Sequence, residues 1–205
     1  NANEIERLDL HDGDTVFVEK GGEIIPKIIK VNLDERKPDS PKVVYLHHCP
    51  ECGTELIRKE GEAVHYCPND EGCPPQIVGK IQHFISRKAM NIDGLGDETI
   101  ETFFKHDLVA HISDLYTLHK KADQLKTLDR FGEGSVQNML SGIEKSKEMP
   151  FEKVLFGLGI RYAGETVAKK LAAGVKNIDN LSKATVEELI AIDEIGQRIA
   201  ESIVE

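Results

Sequence analysis

No apolar run in this 205-residue chain is long enough to cross a membrane, because the two longest are short and interrupted by charge. The N-terminus lacks the basic start and apolar centre of a secretory signal peptide. It also lacks an initiator methionine: the chain opens Asn1-Ala2-Asn3 and stops at Glu205 inside a helical pattern, so both ends are expected to be cuts. No segment is basic. Residues 1–43 carry 7 Lys/Arg against 10 Asp/Glu, residues 44–90 carry 5 against 6, and residues 91–205 carry 14 against 20, for a net charge of −10. That balance excludes a sequence-wide attraction to polyanions. Any grip on one must rest on local geometry and backbone amides.

The length exceeds one average domain, so about two or three small units are expected, and 40% apolar residues suffice for ordinary cores. Residues 1–43 read as β. Thr15-Val16-Phe17-Val18-Glu19 and Lys27-Ile28-Ile29-Lys30-Val31 are β-branched runs around the hairpin signal Lys20-Gly21-Gly22-Glu23, with a second turn signal at Asp12-Gly13-Asp14. Two strands do not make a stable domain alone, so this segment is expected to be the tail of a barrel or sandwich. Lys37-Pro38-Asp39-Ser40-Pro41 reads as a linker, residues 44–78 hold the cysteines, and from about residue 79 the pattern is helical, interrupted only by Pro150.

Cys49, Cys52, Cys67 and Cys73 form a C-x2-C-x14-C-x5-C arrangement. In Cys49-Pro50-Glu51-Cys52-Gly53 two thiolates two residues apart face one point, and the glycine permits the tight turn that aims amides at sulfur. The second pair supplies the other half of a tetrahedron, and four thiolates of this kind characterise structural zinc. Two disulfides do not suit a chain without a secretory signal; iron, in a cluster or a rubredoxin-like site, is the competing metal. His47, His48 and His65 lie nearby, but with four cysteines present they read as surface or supporting imidazoles. A filled four-ligand site leaves no position for water, so the metal would be structural.

A glycine repeats through the helical region at Gly96, Gly132, Gly164 and Gly196, spaced 36, 32 and 32 residues. One residue before each stands Leu95, Phe131, Ala163 or Ile195; four before, Ile92, Leu128, Ile160 or Ile192; seven after, Phe103, Met139, Leu171 or Ile203. This shared register marks an internal repeat of one helical hairpin per copy. The reading is helix, tight turn, helix, with the repeating glycine taking a positive φ and the second helix presenting unpaired N–H groups that suit a phosphate oxygen. Only the first copy keeps both glycines of an h-G-h-G turn, Gly94-Leu95-Gly96; Arg130, Tyr162 and Glu194 stand where Gly94 does. Asp97, Glu133 and Glu165 directly follow the glycines and would repel a phosphate. The competing reading is a purely structural repeat whose glycines only delimit helices. Contacts to phosphates carry no sequence information, so binding is expected to be sequence-independent.

The order of β segment, four-cysteine site and four hairpins resembles bacterial NAD-dependent DNA ligase. Specific matches are Asn3-Glu4-Ile5-Glu6-Arg7-Leu8-Asp9, Gly13-Asp14, Gly61-Glu62-Ala63, His83-Phe84-Ile85-Ser86-Arg87-Lys88-Ala89-Met90 and Ile92-Asp93-Gly94-Leu95-Gly96, so the likeness covers essentially the whole chain. The resemblance implies a mixed, multidomain fold: the C-terminal part of an OB-fold β-barrel over 1–43, a zinc finger over 44–78, and an all-α helix-hairpin-helix domain over 79–205. It implies that these encircle nicked duplex DNA in the bacterial cytoplasm, at the nucleoid, during replication and repair. Lys20, Gly94, Gly96, Gly132, Gly164 and Gly196 are the candidate DNA contacts, with no catalytic residue in the chain. The family adenylates its own lysine from NAD, with magnesium, passes AMP to the 5′-phosphate of a nick and joins the 3′-hydroxyl. The lysine's K-x-D-G motif does not occur here, so an upstream adenylation domain and a downstream BRCT domain are expected, and the chain alone is expected to be inactive. A helix-hairpin-helix repair scaffold and a zinc-ribbon interaction adaptor are the alternatives.

Overall fold

The computed structural model describes residues 1–22 and 25–205. The chain divides into two compact units, residues 1–73 and 74–205.

The first unit opens with a helix, α1 (Ala2–Leu8), that the β reading of this segment did not anticipate. Local capping explains it: the Asn1 side chain accepts from the Asn3 N–H, and Asp9 ends the helix in the left-handed conformation at φ 46°. Strands β1 (Val16–Lys20) and β2 (Pro26–Val31) pair antiparallel, Val16 opposite Val31 and Lys20 opposite Pro26, with a bulge between Phe17 and Val18. Two strands make an open sheet, as a partial OB-fold requires. Of the hairpin signal joining them, Glu23 lies outside the described residues, as does the neighbouring Ile24. Arg36 ties the ends of this segment together. Its guanidinium donates to Asp14 Oδ1 at 2.9 Å and Oδ2 at 2.8 Å, and to the Asp9 carbonyl at 2.6 Å.

From residue 44 to 73 the only buried residues are Cys49 and Cys73. The chain there is held by two isolated bridges, His48 with Glu55 and Ile57 with Tyr66. This segment has no apolar core of its own.

The second unit is helical from Pro74, five residues earlier than the sequence pattern suggests, because Pro74 and Pro75 suit a first helical turn whose N–H groups need no partner. Its elements are α2 (Pro74–Ile85), α3 (Asp97–Lys105), α4 (Ile112–Leu115), α5 (Ala122–Leu125), α6 (Glu133–Ser146), α7 (Phe151–Gly157), α8 (Glu165–Val175), α9 (Ile178–Leu181), α10 (Val186–Ile190) and α11 (Gln197–Val204). Pro150 is the N-cap of α7, where the helical pattern breaks. The buried side chains gather into two cores. One includes Ile81, Phe84, Ile100, Phe103, Val136 and Met139; the other Leu155, Ala168, Leu171, Leu189 and Ala200. Hairpins one and two surround the first and hairpins three and four the second.

Candidate metal centre and nucleic-acid interface

The knuckle at Cys49 closes through two backbone bonds, Gly53 N–H to the Cys49 carbonyl at 2.9 Å and Cys49 N–H to the Thr54 carbonyl at 2.8 Å. Gly53 sits at φ +71°, which permits this turn. The four Sγ atoms lie within 4.8 Å of one another. Cys49 and Cys73 are 3.9 Å apart, and Cys52 and Cys67 3.4 Å. A tetrahedral zinc with Zn–S near 2.3 Å sets its sulfurs about 3.8 Å apart, so the residues fit a zinc ion. The Thr54 hydroxyl, 3.2 Å from Cys52 Sγ, holds that thiol down at about 6, while burial pushes Cys67 up to about 12. A divalent cation held by all four would stabilise every thiolate at once. The histidines stay outside the cluster: His65 stacks on Tyr45 with ring centroids 4.5 Å apart, and His47 and His48 are exposed.

The four hairpins share one turn geometry. In each, the residue one before the repeating glycine donates its N–H to the residue four before it: Leu95 to Ile92 at 3.4 Å, Phe131 to Leu128 at 3.2 Å, Ala163 to Ile160 at 3.0 Å, Ile195 to Ile192 at 3.1 Å. The next helix then starts with a bond back to the glycine carbonyl, from Ile100, Val136, Ala168 and Ala200. Those four residues, each four after a glycine, are all buried, an apolar offset the sequence reading missed although it was there to be counted.

The positive φ expected at the repeating glycines is not there. Gly96, Gly132, Gly164 and Gly196 are extended N-caps, with φ of −128°, −73°, −67° and −82°. The left-handed residue lies two positions earlier, at the third place of the four-residue turn: Gly94 (φ 81°), Arg130 (69°), Tyr162 (67°) and Glu194 (65°). Within each four-residue turn that is the place where the chain reverses its twist, so three non-glycine residues carry a cost of about 1 kcal/mol each.

Among the described residues, nothing beyond the chain neighbours lies within 4 Å of where a Cβ would stand on any of the four N-cap glycines. Neither backbone conformation nor internal packing demands glycine at these positions. No side chain caps any of these helix starts either, so their first-turn amides face outward. The acids beside the glycines are partly neutralised by pairings across helices: Glu165 with Lys153 at 3.2 Å, Glu133 with Lys126 at 3.4 Å. The hydrogen bond from Lys153 holds the Glu165 carboxyl below the usual carboxylate range. Asp97 has no such pairing among the described residues, and its carbonyl accepts from the Gln82 amide at 3.1 Å. Lys20 is exposed at the end of β1, away from both features in sequence.

A four-thiolate centre followed by a tandem helix-hairpin-helix array defines a zinc-finger region of the kind found in nucleic-acid enzymes. Comparison with known proteins narrows this. Residues 1–40 match the NAD-dependent DNA ligase OB-fold domain, residues 48–74 the NAD-dependent DNA ligase C4 zinc finger domain, and residues 153–205 the helix-hairpin-helix motif. The whole chain is 60% identical to DNA ligases of Christiangramia forsetii, Flavobacterium johnsoniae and Cytophaga hutchinsonii, of which it spans 31%, 30% and 30%. Over its whole length the chain is thus similar to DNA ligases, and its first 40 residues and its cysteine module match domains of the NAD-dependent kind. Hairpins one and two fall outside the matched helix-hairpin-helix segment, and their shared turn geometry is what identifies them.

Proposed function

We propose that this chain is the DNA-gripping region of an NAD-dependent ligase that seals single-strand nicks in duplex DNA. Zinc on Cys49, Cys52, Cys67 and Cys73 folds a segment that has no core, and supplies no chemistry beyond that. The hairpins take backbone phosphates on the amides that follow Gly96, Gly132, Gly164 and Gly196. Such binding is indifferent to sequence, which suits an enzyme that must act at any nick. The adenylation step belongs to a K-x-D-G lysine, and no such motif stands in these residues.

The observation that carries this reading is the glycine at each helix start. With extended φ and open space at the Cβ position, each glycine leaves the amides bare to a surface that comes close from outside. An N–H bond to a charged phosphate is worth about 1.5–3 kcal/mol.

The test is a titration of nicked duplex against Gly96→Val and Gly164→Val. Both backbones accept a branched residue without strain, so circular dichroism should be unchanged and stability should fall only by the cost of a weaker N-cap, about 1 kcal/mol. Affinity should fall about tenfold or more, the equivalent of one lost charge-assisted bond. Undiminished affinity in both variants would mean that these glycines only begin helices.

A further inference from the structure

Backbone amides carry no net charge, yet the segment leading into hairpin one gathers cations within an acidic chain. Ser86 and Arg87 line a cavity of about 240 Å³ together with Asn91, Gly94, Gly96 and Asp97. Arg87 is exposed and makes no ion pair among the described residues. Its neighbour Lys88 is also exposed, and the Lys88 carbonyl accepts from Lys153 Nζ at 2.9 Å. The same ammonium reaches Glu165 Oε1 at 3.2 Å, on the first residue of α8. Lys153 therefore pins the Arg87–Lys88 loop beside the start of the third hairpin. Lys169 stands one turn along α8 on the same face as Glu165 and is exposed. Asp93 and Asp97 line the same cavity, and Glu165, on which Lys88 and Lys169 also act electrostatically, is paired with Lys153.

The fourth hairpin is built the other way. Asp193 and Glu194 occupy its turn, and both engage Lys170, at 2.5 and 3.6 Å. Hairpin four thus carries acids in its turn, although Arg198 stands two residues after its glycine, whereas Arg87, Lys88 and Lys169 stand by hairpins one and three.

We propose that Arg87, Lys88 and Lys169 form a cationic patch that binds the sugar–phosphate backbone of duplex DNA, bridging the amides of hairpin one to those of hairpin three. This rests on the reading of the hairpins as phosphate-binding elements and adds to it a side-chain grip that releases counterions, which amides alone do not.

The experiment is a titration of nicked duplex at several salt concentrations with three proteins. These are the wild-type chain, the triple variant Arg87→Gln/Lys88→Gln/Lys169→Gln, and the charge-matched control Lys120→Gln/Lys145→Gln/Lys183→Gln, whose lysines are exposed elsewhere in the same unit. Each lost phosphate contact should lower the slope of log K against log salt by about 0.9, so the triple variant should lose roughly 2 to 3. The control should keep the wild-type slope. A triple variant that binds with the affinity and slope of the control overturns the patch while leaving the hairpin reading in place. A wild-type chain that does not bind nicked duplex overturns both.

Discussion

The carbonyl of Asp93 lies where a side chain on Gly142 would begin, so the turn of hairpin one is seated directly on the backbone of α6. Gly94 makes the reciprocal approach: a Cβ there would stand 2.9 Å from Met139 Cα, at a φ of +81°. Two glycines 48 residues apart thus let the first hairpin lock onto the helix of the second.

Gly142→Ala and Gly94→Ala should each destabilise the helical unit by about 2 kcal/mol, the range for forcing atoms into a filled site. That corresponds to a melting shift of about 4–8 °C in a chain of this size. Gly96→Ala, with no neighbour to meet, should melt within about 1–2 °C of wild type, as surface substitutions do. Calorimetry of the three variants checks the ranking, and equal shifts in all three would contradict the packing described.

Metal analysis of the purified chain should return about one zinc per molecule. Cys67→Ser should release it and expose the amides of residues 44–73 to hydrogen exchange. The helical unit should keep its protection, because its two cores contain none of these residues. Iron absorbance in the visible, or full zinc retention by the variant, would count against the four-thiolate centre.

The Arg36 guanidinium holds the Asp14 carboxyl below the usual carboxylate range, and the Asp14 side chain is only 2% exposed. A carboxyl lowered in the folded chain stabilises it above the unfolded value, near 3.9, and that contribution vanishes as pH falls through the folded value. Hydrogen exchange in β1 and β2, taken relative to the intrinsic rate at each pH, should therefore stay slow at pH 5 and quicken below about pH 4. In Arg36→Met it should already be faster at neutral pH and change less on acidification. Identical pH profiles for the two proteins would remove the ion pair from the account of stability.

Incubated with NAD and magnesium, the chain should keep its mass. Intact-mass spectrometry would reveal an added AMP, and finding one would place a reactive lysine among these residues.

Much of the candidate site was legible because it is local. Four cysteines reach one metal through short loops, so their spacing alone indicates a tetrahedron, and the Sγ atoms do converge. The repeat was legible through apolar offsets, since residues at −4, −1 and +7 from the glycines, Ile160 and Ala163 excepted, pack into the two cores. The left-handed turn residue was misplaced because the motif's second glycine invites a conformational explanation that belongs to its first. In Arg130, Tyr162 and Glu194 no glycine marks the spot.

Sequence by itself determined which residues could share a metal, where the hairpins turn, and that the strands around residue 20 pair. Each follows from chain geometry over a few residues. Tertiary structure alone decided how the hairpins differ. Lys153 neutralises Glu165 from another helix, Lys88 is carried to the third hairpin by a bond spanning 65 residues, and Lys170 is taken up by the acids of the fourth. Net charge is a sum over the chain, whereas a phosphate responds to the few charges within about a Debye length. Which charges those are depends on packing between helices far apart in sequence.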